Sequence, residues 1–205
     1  MNNYVYYLEG KAYINLTNKC KNACAFCVRN TGDGVRDAVL WLDKEPTAAD
    51  VIEAFDRMPY KGDEVVYCGF GEPTENMSAL TESARVFKSR GYRTRLNTNG
   101  LGNLANGRDI TKELGDIDVV SVSLNNHCAE KYRDITRSAY GLSAFDGVLD
   151  FARRCKAQGK TVVFTVVDVI GEDDVESSKK LCESLGIPLR VREYVADNYE
   201  NSRGE

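Results

Sequence analysis

The chain has 205 residues, which fits one domain, with 42% hydrophobic and 28% charged residues, enough for a sizeable core and a well-solvated surface. Its formal net charge of −4 at pH 7 gives no support to nucleic-acid binding. No apolar run is long enough to cross a bilayer, and the opening "MNNYVYYLEG" lacks the basic and apolar stretches of a secretory signal, so a cytoplasmic protein with no membrane partner is expected.

The first predicted element is a short hairpin. "NYVYYLEGKAY" alternates around a Glu9-Gly10 turn. A β-rich run at 12–17 follows and opens into a polar loop. Residues 46–58 predict a helix, with a Thr47/Asp50 capping pair and Val51, Ile52, Phe55 and Met58 at helical spacing. A strand at 64–70 comes next, then a helix through Leu80, Ala84 and Phe87 that Gly91 stops. After a strand at 94–99, the Gly-rich "NGLGNLANGRD" looks like loop and "TKELG" is short, so the third crossover lacks a clear helix. A strand at 118–125 precedes a helix through Phe145, Val148, Leu149 and Ala152, with Ser143 as N-cap and a stop near Gly159. The last unit is a strand at 161–169, a helix through Val175, Leu181, Cys182 and Leu185 ending at Gly186, and a strand at 189–195.

Strand–helix alternation implies an α/β fold: a mainly parallel open sheet with right-handed crossovers. Six units are too few for a closed eight-stranded barrel, which leaves a partial (β/α)6 TIM-like barrel or a doubly wound sheet. The expectation is one domain, with its core at about 12–195 and a polar tail at 196–205. Ligands bind beyond the C-terminal strand ends in either architecture. The basic residues Arg85, Lys88, Arg90, Arg93 and Arg95 span a helix end and the next strand; they are read as a solvated face, not a phosphate site.

The loop after the first parallel strand, "LTNKCKNACAFCVRN", holds Cys20, Cys24 and Cys27, three of seven cysteines. Clustered thiols in a reducing compartment point to metal or redox chemistry. Thiolates select zinc, copper(I) or iron–sulfur clusters. A structural zinc site normally closes with four ligands. Cys128 or His127 remains available as a fourth, whereas Cys155 and Cys182 lie on apolar helix faces and read as buried structural thiols. With three ligands only, a four-iron cluster keeps one iron open to a substrate or cofactor. A zinc or electron-transfer module without further chemistry is the rival at this point.

Cys-x3-Cys-x-aromatic-Cys after a first strand resembles the signature of the radical S-adenosylmethionine (radical SAM) superfamily. "GFGEPT" (69–74), "NTNG" (97–100) and "SVSLN" (121–125) follow in the order that the superfamily's further motifs take, over about 12–195. "LTNKCKNACAFCVRNTGDGV", "CGFGEPT" and "RLNTNGLGNL" are together similar to its TatD family-associated members. The resemblance implies a [4Fe-4S] cluster on Cys20, Cys24 and Cys27, whose open iron takes the amino and carboxylate groups of S-adenosylmethionine. It places Phe26 by the adenine, Gly71 and Glu72 at the methionine amino group, and Ser123 and Asn125 at the ribose or carboxylate. It brings Asn99, within "NTNG", to the cofactor and Val195 to the adenine. It implies an external one-electron donor such as flavodoxin or ferredoxin, reductive cleavage to a 5′-deoxyadenosyl radical, and hydrogen abstraction from an unidentified substrate. Arg29, Asp33 and Arg108, in the loops at that end, are candidate substrate contacts. The rival within this resemblance is a non-catalytic SAM-binding partner of a TatD-type hydrolase.

Overall fold

The computed structural model describes residues 2–194. The opening hairpin joins β1 (Val5–Leu8) to β2 (Lys11–Ile14) through Glu9 and Gly10, both at positive φ, as a two-residue turn between twisted strands demands. A small second hairpin, β3 (Gly34–Val35) and β4 (Ala38–Val39), sits in the long loop after β2. The parallel strands are β2, β5 (Glu64–Tyr67), β6 (Arg93–Thr98), β7 (Val119–Ser123), β8 (Thr161–Val167) and β9 (Leu189–Arg192). They lie side by side in chain order, with β1 antiparallel on the β2 edge. A doubly wound sheet reverses direction at a switch point. This order never reverses, so the sheet is an open, barrel-like one.

The helices are α1 (Ala48–Asp56), α2 (Met77–Ser89), α3 (Gly102–Asn106), α4 (Ala129–Thr136), α5 (Ser143–Ala157) and α6 (Glu172–Leu185). Thr47 and Asp50 form the expected capping box of α1, and Gly186 ends α6 in the left-handed conformation. The core lies between helices and sheet: Val51, Phe55, Leu80, Phe87, Val148 and Phe151 meet Ile14, Tyr67, Leu96, Val122 and Phe164, all at most 1% exposed. Each such side chain contributes roughly 1.5–3 kcal/mol of burial.

Three expectations need correction. Ser143 is the first helical residue of α5, not its N-cap; Leu142 precedes it, and the Ser143 hydroxyl donates to the Tyr140 carbonyl at 2.8 Å. Part of "NGLGNLANGRD" is the helix α3, and Asn106 closes it by donating to the Gly102 carbonyl at 2.9 Å. The strands stop short of their expected C-terminal ends, because residues such as 15–17 and 99 leave the ladder to build loops. The basic run is on the surface as expected, and each member is paired: Arg85 with Asp116, Lys88 with Asp118, Arg90 with Asp56, Arg93 and Arg95 with Glu64.

Candidate functional site

The cysteine loop leaves β2 and is tied down from several sides. Asn18 pairs with the Leu42 backbone in both directions, at 2.8 and 3.1 Å. The Ala23 and Ala25 amides donate to the carbonyls of Thr136 and Ile135, both at 2.9 Å, and the Ala139 amide donates to that of Lys21 at 2.8 Å. The end of α4 therefore acts as a shelf for the loop. α4 was missed in the sequence, where "AEKYRDIT" offers only Tyr132 and Ile135 as large apolar signals. Asn30 clamps the other side, donating to the carbonyls of Cys24 and Ala25 at 3.1 and 3.3 Å.

Cys20, Cys24 and Cys27 are all free thiols and half-buried. Burial pushes the Cys24 thiol up to about 12, and negative charge at Cys27 and Cys20 adds to the rise, so both lie within electrostatic reach of Cys24. Two N–H groups face the Cys20 sulfur: the Asn22 amide at 3.5 Å and Asn99 Nδ2 at 3.6 Å. Such donors stabilise thiolate charge. Among the described residues no three His, Cys, Asp or Glu side chains converge closely enough to share one metal ion. A tetrahedral zinc requires that convergence. A multi-iron cluster spreads its thiolates over separate irons, and three half-buried thiols with N–H donors at Cys20 suit that kind of ligation.

The loop after β5 passes beneath the cysteine loop. A Cβ at Gly71 would lie 2.2 Å from the Thr17 carbonyl oxygen and 2.7 Å from that of Lys19. Glycine is thus required by the close approach of the protein's own backbone. The Glu72 amide donates to the Lys19 carbonyl at 2.8 Å and locks the two loops together. Glu72 is 4% exposed. One carboxylate oxygen accepts from the Thr74 amide (3.2 Å), the Thr74 hydroxyl (2.8 Å) and the Thr98 hydroxyl (2.7 Å); the other accepts from the Asn99 amide at 2.7 Å. Burial raises its pKa against the pull of these four donors. Glu72 joins the loops after β5 and β6, and Oε2 alone keeps room for another donor. The two threonines lie within "GFGEPT" and "NTNG" but were not among the expected site residues.

Asn99 spans the pieces. Its amide meets Glu72, its side-chain oxygen accepts from the Leu101 amide at 2.8 Å, and its side-chain nitrogen meets Cys20. Ser123 ends β7, beside Thr165 of β8. Asn125 follows at φ 60°, a left-handed conformation that asparagine tolerates. Among the described residues, the side chains of Ser123 and Asn125 have no hydrogen-bond partner, which leaves their polar groups available. Phe26 is half-buried within the cysteine loop. Val195 lies outside the described residues.

The candidate substrate contacts divide. Arg29 donates to the Asn18 carbonyl at 3.0 Å and lies over the Trp41 ring at 5.9 Å, so it braces the cysteine loop. Arg108 is held bidentately by Glu113, at 3.0 Å for both bonds, and points into solvent. Asp33 is exposed, and its carbonyl accepts from the Leu40 amide to close the small hairpin. Cys155 and Cys182 are buried in the core as expected. His127 sits beside Asp174, at 3.6 Å, between β7 and α6.

Comparison with known proteins gives one family. The family model described as "Radical SAM superfamily" matches residues 14–182. The chain is 29% identical over 194 residues to the dual-specificity RNA methyltransferase RlmN of Nautilia profundicola, covering 84% of this chain and 50% of that protein. It is 27% identical over 189 residues to RlmN of Sulfurimonas denitrificans, covering 84% and 49%. The chain thus spans about half the length of these curated relatives. Among solved structures, a radical SAM methyltransferase from Sphaerobacter thermophilus aligns with TM-score 0.63 at 17% identity, over 92% of this chain and 68% of that one. Streptococcus suis SuiB bound to S-adenosylmethionine aligns with TM-score 0.62 at 16% identity, over 89% and 38%. The likeness in fold, the ordered motifs and the family match agree: the chain belongs to the radical SAM superfamily, whose enzymes take a [4Fe-4S] cluster and S-adenosylmethionine as cofactors.

Proposed function

We propose that Cys20, Cys24 and Cys27 hold the [4Fe-4S] cluster and that the protein cleaves S-adenosylmethionine to start hydrogen abstraction from a substrate. The observation that carries this is the locked geometry of the loops: the three-cysteine loop rests on Gly71, and Asn99 links Glu72 to the Cys20 sulfur. When bound, the cluster and S-adenosylmethionine supply one-electron cleavage of the sulfonium to a carbon-centred radical. The chain's own part is to hold and shield. Gly71 and the free lone pair of Glu72 Oε2 offer the methionine ammonium its acceptors. Asn99, Ser123 and Asn125 offer hydrogen bonds along the strand ends, Phe26 a ring for the adenine, and Val195 a backbone contact. Arg29, through its bond to the loop, holds the cysteines in place. All seven cysteines are free thiols, which supports a reducing, cytoplasmic setting, with flavodoxin or ferredoxin as electron donor.

The motifs around Cys20, Gly71 and Asn99 support placement among TatD family-associated members, with a TatD-type hydrolase as partner. The RlmN relatives favour a second reading, methyl transfer to RNA. Both concern the substrate and leave the cofactor chemistry common. Anaerobic reconstitution of wild type, Cys24→Ala and Cys155→Ala tests the shared proposal by iron analysis. About four irons per chain are expected in wild type and Cys155→Ala, and none in Cys24→Ala. Tightly held zinc without iron, or full iron loading in Cys24→Ala, overturns it.

A further inference from the structure

Strand β9 offers arginines to the concave face of the sheet. Its register fixes this: Leu189 lies beside Phe164 and packs on the core, so Arg190, beside Thr165, and Arg192, beside Val167, point to the opposite face. Thr165 in turn lies beside Ser123, which puts Arg190 level with the proposed cofactor contacts. Both arginines are exposed, and among the described residues neither has an ion pair or a hydrogen bond. By comparison, Arg90, Arg95, Arg108 and Arg154 each meet a carboxylate within 3.2 Å. In a chain of net charge −4 acids are not scarce.

The positive charge reaches the far side of the concavity. Burial pushes the Cys68 thiol at the end of β5 up, and the charge of Arg192 works against that rise. The cationic character also continues to the floor of the same face, where Lys11, Arg93 and Arg95 surround the single carboxylate Glu64. An edge strand is protected from pairing by charge, most often by lysine. Two arginines on one face do more than that. Alternate residues of a strand stand roughly 6–7 Å apart, within reach of two guanidinium groups converging on one anion. A carboxylate is filled by a single bidentate arginine, whereas a phosphate group has oxygens for two.

We propose that Arg190 and Arg192 bind a phosphate group of the substrate on the concave face, and so aim an adjacent carbon toward the cofactor held at Ser123 and the cysteine loop. The term substrate rests on the function proposed above; phosphate binding stands without it. Arg190 and Arg192 are positioning residues, not catalytic ones.

The test is isothermal titration of the full-length, reconstituted protein with pyrophosphate at constant ionic strength. Wild type and the surface control Arg153→Gln should bind alike. The double variant Arg190→Gln, Arg192→Gln should bind about tenfold more weakly or worse, while its iron content and its affinity for S-adenosylmethionine stay at wild-type values. Competition then separates the sources of phosphate. Displacement of pyrophosphate by adenosine monophosphate indicates a small phosphate ester; displacement by a short RNA oligonucleotide alone indicates a polymer. Equal binding in wild type and double variant overturns the proposal. So does displacement by neither competitor, or lost affinity for S-adenosylmethionine with pyrophosphate binding intact. Titration does not depend on turnover, so a protein that binds pyrophosphate but holds no iron contradicts the proposed function and leaves this assignment standing.

Discussion

Replacing Glu72 by glutamine preserves shape, yet it should destabilise the site. The Thr74 amide points at one carboxylate oxygen and the Asn99 amide at the other, at 3.2 and 2.7 Å. A glutamine has one acceptor oxygen and one NH2 group. Whichever way the amide is turned, its NH2 faces a backbone N–H that cannot reverse its role. Hydroxyls at Thr74 and Thr98 can rotate; the two amides cannot. One buried donor is left unsatisfied, at a cost of about 1–3 kcal/mol. Removing the buried charge offsets part of this, because burial already raises the Glu72 pKa. The expected net loss is therefore about 1–2 kcal/mol, or roughly 2–8 °C in melting temperature for a chain of this size. Urea unfolding of the apoprotein followed by circular dichroism measures it. Unchanged or increased stability in Glu72→Gln would refute the view that both oxygens are committed to fixed donors.

Other outcomes follow from the same geometry. Gly71→Ala should reduce iron loading as well as stability, by about 1–3 kcal/mol, since the new Cβ meets backbone at 2.2 Å; colorimetric iron analysis beside urea unfolding checks both. Asn99→Ala removes the N–H that faces Cys20 and should make the cluster's midpoint potential more negative, because that donor favours the electron-rich state; a redox titration followed by electron paramagnetic resonance reads this directly. For Glu64, burial acts to raise the pKa, but hydrogen bonds and charge from Lys11 and Arg95 prevail and hold it below the usual 4.5. A depressed carboxyl contributes stability above its unfolded value and loses it as pH falls through the folded one. Glu64→Gln should therefore be less stable than wild type at neutral pH, with the gap closing below about pH 4.5, as denaturant midpoints across pH will show.

The legible part of the fold was the part that local chemistry writes. The Thr47/Asp50 pair, the Glu9-Gly10 turn and Gly186 act within a few residues, and the β-rich runs alternate with helical spacing. The cysteine spacing likewise pointed to a soft-metal loop, and four ordered motifs pointed to strand ends. What stayed hidden depends on tertiary contact. α4 carries few large apolar residues, and it is a helix whose end seats the cysteine loop, through bonds to Ala23 and Ala25 that span more than a hundred positions. Gly71 has a second reason to be glycine that the sequence does not show, since only folding brings the Thr17 carbonyl against it. Thr74, two residues on, and Thr98, at the end of β6, meet Glu72 from different parts of the chain. Arg108 looked free in the chain and is clasped by Glu113 in the fold.

The most direct test is the mass-spectrometric measurement of 5′-deoxyadenosine from the anaerobically reconstituted protein, with S-adenosylmethionine and dithionite. Slow formation of 5′-deoxyadenosine and methionine without substrate is the predicted result, faster on addition of cell extract. Protein that carries its cluster and binds S-adenosylmethionine, yet yields no 5′-deoxyadenosine even with extract present, would contradict the proposed chemistry.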